Sequence, residues 1–440
     1  MAHSSTAPTW ACEGGSGGLE AGLRKRVASL VGDATAIVGI QALNFLVPLA
    51  ALPFVSRALG IEQFGVYATM LSYSAYVVLL ADYSFNINGP QRVHAALGRG
   101  ALDRLLLDSV VAKIALLLPG ALVFTVLLAW TGRVSPLAIG MAVLLPIATT
   151  LTPRWAVYGL SRLHLFLAVS ALARVSWLIV VVALVKTPDD LILLVGLSVV
   201  TQVFILACCY TAIWPRDRSQ LRPSLRGGVA ILSEDFKLFA SSASLGATKD
   251  LGLALLAVTA PISSISIYAV ADRVRVALLG LTAPVTQALF LLSAKSAANR
   301  GDALDVLRFA NVLILSAVTV GSLVVYFSAG TIIDALAGPH FSAAVGPLQV
   351  ICFIPPLATL NSIIGTNTLL VSGRQSAYAG AQLATAAIAA PTALAAVVLA
   401  GAAGAAFAAV FAEALLSVIT VVIALRSGLI ARAFPLPGGR

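Results

Sequence analysis

The chain has 440 residues, of which 59% are hydrophobic and 10% charged. Soluble domains carry about 25% charged residues, so this composition excludes a globule surrounded by water and makes lipid the solvent. The formal net charge of +10 requires no nucleic-acid partner, because the distribution of the basic residues along the chain accounts for it.

The first ~23 residues, "MAHSSTAPTWACEGGSGGLEAGL", are polar and Gly/Ser-rich, with no apolar signal core. Residues 1–30 are expected to be a disordered cytosolic tail. Apolar runs then fall at roughly 34–55, 64–88, 107–130, 135–153, 164–185, 191–214, 238–260, 266–293, 309–327, 344–371, 377–399 and 403–425. Each is long enough for a helix across a core of about 30 Å. They are continuous rather than alternating, which excludes a β-barrel. The predicted fold is an all-α polytopic membrane protein with twelve transmembrane helices in two six-helix bundles around a central cavity.

Loop charge sets the orientation. With the N-terminus in the cytosol, the cytosolic segments hold twenty basic residues, among them Arg24, Lys25, Arg26, Arg92, Arg99 and Arg104. The opposite loops hold three: Arg57, Arg133 and Lys186. Both termini are thus expected to be cytosolic. The most basic loop, Trp214 to Gly228, divides six runs from six, which gives a first bundle over 31–214 and a second over 238–427. A basic linker over 215–237 and a cytosolic tail over 428–440 complete the layout. A shift of 201 residues matches Tyr67-Ala68 to Tyr268-Ala269 and Arg99-Gly100 to Arg300-Gly301, a faint mark of parallel repeats. The four cysteines (Cys12, Cys208, Cys209, Cys352) have no metal-ligand spacing. Pro48 and Pro53 are expected to interrupt the first span, and Pro355 and Pro356 the tenth.

"SRALGIEQFGVYA" (Ser56 to Ala68) and "DYSFNINGPQRVHAA" (Asp82 to Ala96) resemble the first hairpin of the polysaccharide and O-antigen flippases. These belong to the multidrug/oligosaccharidyl-lipid/polysaccharide exporter superfamily. Arg57, Leu59, Gly60, Phe64 and Gly65 match its R-x-L-G-x-x-x-F-G pattern, and Asp82, Tyr83, Phe85 and Asn86 its D-Y-G-F-N pattern. Ser84 stands where that pattern has glycine, so a less bent helix is expected there. "YAVADRVRVALLGLTAPVTQALF", "IIGTNTLLVSGR" and "GAAGAAFAAVFAE" are similar to the family's eighth, tenth and twelfth helices. The resemblance implies a flippase for undecaprenyl-diphosphate-linked oligosaccharide in polysaccharide (O-antigen, capsule or exopolysaccharide) biosynthesis. It implies no catalysis, cofactor or metal. Partners would be the lipid-linked oligosaccharide, membrane lipid, a coupling H⁺ or Na⁺, and polymerase and chain-length proteins.

A diphosphate is costly in hydrocarbon, so such a carrier needs a cationic cavity between its halves and a side opening for the lipid tail. Five basic residues lie within the runs: Lys113, Arg174, Lys249, Arg273 and Arg275. Lys249, near a midplane, is the leading candidate for substrate binding; an ion pair is its structural alternative. Asp272 and Arg275, three apart, can pair on one helix face and leave Arg273 free. Arg174 is a further candidate, while Lys113 lies close enough to the cytosol to snorkel. Asp82, Asn86, Asp250 and Glu413 are candidates for ion coupling or gating. Asp82, Asn86 and Gly89 recur at i, i+4, i+7, one face of a helix, and are expected to border a wet cavity mouth. Competing functions are a drug/cation antiporter or a lipid II flippase of the same superfamily. From another class comes a membrane glycosyltransferase or polymerase using Asp334 and His340 on the longest outer loop.

Overall fold

The computed structural model describes residues 16–97, 101–132, 134–213, 224–249, 251–298 and 302–434; within these, the side chains of 16–31, 33–34, 237–238, 240–250, 288, 291–292, 294–298 and 302–303 are not described. The chain runs through α1 (Ser16–Asp82), α2 (Phe85–Leu97), α3 (Leu102–Trp130), α4 (Pro136–Leu151), α5 (Arg154–Gly159), α6 (Leu163–Leu184) and α7 (Leu191–Ile213). It continues through α8 (Leu225–Lys249), α9 (Leu251–Thr259), α10 (Ile262–Ala298), α11 (Asp302–Phe327), α12 (Ala329–Leu336), α13 (Val345–Ile351) and α14 (Ile354–Asn361). A π helix (Ser362–Leu370), α15 (Gln375–Arg426) and α16 (Ile430–Ala433) close it. The protein is thus an all-helical, multi-pass membrane protein.

Eight helical stretches among the described residues are long and apolar enough to cross a bilayer. They contain ten of the twelve apolar runs, because the two longest stretches, of 63 and 52 residues, each hold two. At 1.5 Å per residue neither could stay straight inside a core of about 30 Å. Each breaks at a glycine with positive φ, Gly60 (φ 67°) in α1 and Gly401 (φ 53°) in α15, a backbone conformation that costs residues with a side chain about 1–3 kcal/mol. The remaining runs fall on α8–α9 and α10. Pro48 and Pro53 do not interrupt α1, whose only non-helical residue is Gly60. Pro355 and Pro356 do mark a break, at Cys352–Phe353 between α13 and α14. Residues 16–30, expected within a disordered tail, belong to α1, and 225–237, expected within a basic linker, belong to α8.

Three apolar cores organise the packing. The largest joins both sequence halves, from Leu52, Leu59, Phe64 and Tyr73 to Ile265, Tyr268, Phe341 and Ala405. The second draws only on residues 40–232 and the third only on 289–434. The halves therefore share a core toward the end marked by Gly60, Gly338 and Gly401, and keep separate cores away from it. α1 and α10 form the main seam. At Gly65 an added Cβ would meet the Ile262 carbonyl oxygen at 2.7 Å, and at Gly280 it would run into the Phe45 ring. The two glycines let the helices touch above and below a gap.

Candidate functional site

That gap is a cavity of about 270 Å³. Pro48, Leu52 and Val55 before Gly60 and Phe64, Tyr67 and Ser72 after it supply one wall. Trp177 of α6, Leu253 of α9 and Ala269, Asp272, Arg273 and Val276 of α10 supply the other. Residues from both halves thus enclose it. Among the described residues its one lining cation is Arg273, which forms no ion pair with any of them. Ser72, 3% exposed, turns a buried hydroxyl into the same lining with no hydrogen-bond partner among them. Trp177 is held by donating Nε1–H to Ser198 Oγ at 3.2 Å.

The i, i+3 spacing on α10 behaves as expected. Arg275 Nε donates to Asp272 Oδ1 at 2.6 Å, and both side chains are mostly buried (9% and 15% exposed). Arg275 is not among the cavity-lining residues. Its charge is cancelled on its own helix, which removes it from the cationic set and leaves Arg273. Behind the cavity wall lies an apolar groove of about 540 Å³, between Tyr73, Val77 and Leu80 of α1, Leu116 and Phe124 of α3, Phe239 of α8 and Leu251 and Leu255 of α9. The Lys249 side chain and Asp250 lie outside the described residues.

Arg174 does not join Arg273. It lines a separate pocket of about 40 Å³ made only by α1, α4, α5, α6, α7 and the turn at Thr152. The expected snorkelling of Lys113 is also corrected. Lys113 is 3% exposed; it donates to Asp82 Oδ1 at 2.9 Å and to the Thr150 carbonyl at 2.7 Å. Its ammonium sits 5.1 Å from the Phe85 ring centroid. Asp82 accepts further bonds from Arg154 Nη2 at 3.1 Å and Asn86 Nδ2 at 3.0 Å. It is the anchor of a buried charge cluster inside the first half rather than one edge of a wet mouth.

The Asp82–Asn86–Gly89 stripe fails for a local reason. The backbone breaks at Tyr83 (φ 50°) and Ser84, between α1 and α2, so helical periodicity does not carry across. Gly89 packs on Trp155, where a Cβ would come within 2.7 Å. Ser84 does not straighten the helix as expected. Its hydroxyl donates to Asp235 Oδ2 at 2.6 Å. Asp235 also accepts from Asn88 Nδ2 at 2.8 Å and Arg92 Nη2 at 3.0 Å, while Tyr83 OH donates to the Leu232 carbonyl at 2.9 Å. This latch between α2 and α8 was missed in the sequence, where Asp235 stands in a basic linker with no sign of its partners.

At the Gly60 end, Arg57 Nη2 donates to the Ala335 and Asp334 carbonyls at 2.9 and 3.2 Å. Phe64 meets Phe341 edge-on at 5.8 Å, and Ser266 Oγ donates to the Ile61 carbonyl. Asp334 and His340, the candidates for an enzyme, are exposed there. In the second half, Asn361 Nδ2 donates to Glu413 Oε2 at 2.7 Å, beside the π helix (Ser362–Leu370).

Comparison with known proteins agrees with this architecture. The chain is similar to the lipid II flippase MurJ in its inward closed conformation (TM-score 0.69, 11% identity, 92% of this chain and 90% of that one). It is also similar to an inward-facing multidrug resistance MATE family transporter of the MOP superfamily (TM-score 0.61, 14% identity, 90% and 98%). Among sequences, a protein of Escherichia coli (strain K12) named for O-antigen transport is 22% identical over 340 residues, 75% of this chain and 81% of the relative. One of the same name from Shigella dysenteriae is 21% identical, covering 76% and 85%. The family model described as "Polysaccharide biosynthesis protein" matches residues 30–297, more than half the chain, and the protein belongs to that family.

Proposed function

We propose that the protein is a flippase rather than an enzyme. It moves undecaprenyl-diphosphate-linked oligosaccharide from the cytosolic to the outer leaflet of the inner membrane, by alternating access between bundles 31–214 and 238–427. Both termini are cytosolic, which makes the Gly60 end the outer one. The observation that carries the reading is Arg273: a cation in a cavity walled by both halves, with no carboxylate bound to it among the described residues, since Asp272 pairs with Arg275. A guanidinium presents planar paired donors that suit phosphate oxygens. The apolar groove beside the same wall suits the lipid tail, whose chain needs no polar partner. Lys249 is proposed as a second cation and Glu413 as a coupling carboxylate for H⁺ or Na⁺. Polymerase and chain-length proteins would take the product outside.

At about 30 Å³ per water-sized group, the cavity has room for a diphosphate but not for an oligosaccharide. The halves must part further to admit the sugars. The test is Arg273→Ala in cells and in proteoliposomes. The variant is expected to reach the membrane at normal levels and to accumulate lipid-linked oligosaccharide facing the cytosol. Normal export by Arg273→Ala and by Lys249→Ala would overturn the cavity assignment.

A further inference from the structure

We infer that the small pocket around Arg174 and Arg154 is a binding site for an inorganic anion of halide size, distinct from the cavity proposed for the cargo. Four charged side chains are gathered in and beside it: Asp82, Lys113, Arg154 and Arg174. Asp82 bonds both Lys113 and Arg154. Lys113 and Arg154 therefore share one carboxylate, Arg174 pairs with none among the described residues, and no acid lines the pocket among them. Arg174 feels the charge of Arg154 and makes no hydrogen bond to a described residue; its Nε is fully buried without a partner.

Arg174 is half-buried with its Nε inaccessible, and a cation so placed without a counter-charge is disfavoured; the neighbouring Arg154 adds to the cost. Hydrogen-bond donors line the space. Ser170 is 3% exposed, lines the pocket, and its buried hydroxyl has no partner. The Asn44 and Gln202 amides line the same space. The volume of about 40 Å³ is small beside the 270 Å³ of the cavity between the halves. That size suits a halide far better than a diphosphate joined to a sugar chain, for which the larger cavity is the fitting place. The ion completes the charge balance of the first half and ties α5 and α6 together.

The test uses the full chain purified in detergent at constant ionic strength, with gluconate replaced stepwise by chloride or bromide. Thermal unfolding is expected to rise saturably with either halide. Arg174→Gln is expected to lose the response. Ser170→Ala removes only one hydroxyl and is expected to fold normally while needing about tenfold more halide for half the effect, as fits the loss of one hydrogen bond to a charged group. An unfolding temperature in the unsubstituted protein that ignores halide would overturn the inference. So would an undiminished response in both variants, or stabilisation by inorganic pyrophosphate with none by halide.

Discussion

Replacing Asp82 by asparagine isolates the energetics of the buried cluster. Lys113 lies 2.9 Å from Asp82 and only 4% of its side chain is exposed. At an effective dielectric of about 20 their attraction is about 6 kcal/mol, largely offset by the cost of taking both groups out of water. The net pair is therefore worth little, but losing one partner is not. The Asp82→Asn variant keeps the shape and strands the Lys113 ammonium between the Thr150 carbonyl and the Phe85 ring. A loss of about 3–5 kcal/mol is expected. Arg154 is 31% exposed, so its arm is screened and Arg154→Gln should cost no more than about 1 kcal/mol. Equilibrium unfolding in mixed micelles measures each change. The decisive variant is the double one, Asp82→Asn with Lys113→Met, which should cost less than the sum of the singles by at least about 2 kcal/mol. Additivity within about 0.5 kcal/mol would show that the two charges do not depend on each other and would refute the reasoning.

Two further outcomes bear on the seam and on coupling. Gly65→Ala places a methyl against the Ile262 backbone and the Ser266 hydroxyl; a destabilisation of about 1–3 kcal/mol with reduced transport is expected, and unchanged unfolding and export would contradict the close α1–α10 contact. Glu413→Gln keeps an acceptor for Asn361 and should leave folding intact while making flipping in proteoliposomes indifferent to imposed H⁺ and Na⁺ gradients; retained dependence would remove Glu413 from coupling.

The membrane class was legible because it rests on one-dimensional quantities: apolar runs of the right length and a near absence of charge inside them. The Asp272–Arg275 pair was legible for the same reason, since i, i+3 spacing acts within one turn. The failures came from geometry made by distant residues. Lys113 looked free to reach water because its depth was counted along α3; Asp82, 31 positions away, holds it instead. The Asp82–Asn86–Gly89 stripe assumed a continuous helix, and a positive-φ tyrosine broke it. Arg174 and Arg273 both sit within apolar runs, and nothing in the sequence says that one faces the seam and the other the interior of the first half.

A carrier of this kind has to break the contacts that close its cavity, so their strength must be comparable to what drives the change. At the Gly60 end they comprise the shared apolar core and a small set of polar and aromatic bonds that lock it. Arg57 makes two exposed bonds to carbonyls across the seam, worth about 1 kcal/mol together when screened. The Phe64–Phe341 edge contact adds about 0.5–1.5 kcal/mol. The Ser266 and Ser56 hydroxyls reach the Ile61 and Leu336 carbonyls for about 1 kcal/mol each. The polar and aromatic seal thus amounts to about 3–5 kcal/mol. Exporting a diphosphate with about two negative charges from an interior-negative cell releases about 2.3 kcal/mol per charge per 100 mV, or about 4.6 kcal/mol on the proposed reading. Reversing a two-state population from 1:99 to 99:1 takes about 5.5 kcal/mol. The three quantities fall in one range. The shared apolar core adds to what must part, and the cavity between Gly65 and Gly280 reduces that burden by interrupting the α1–α10 contact.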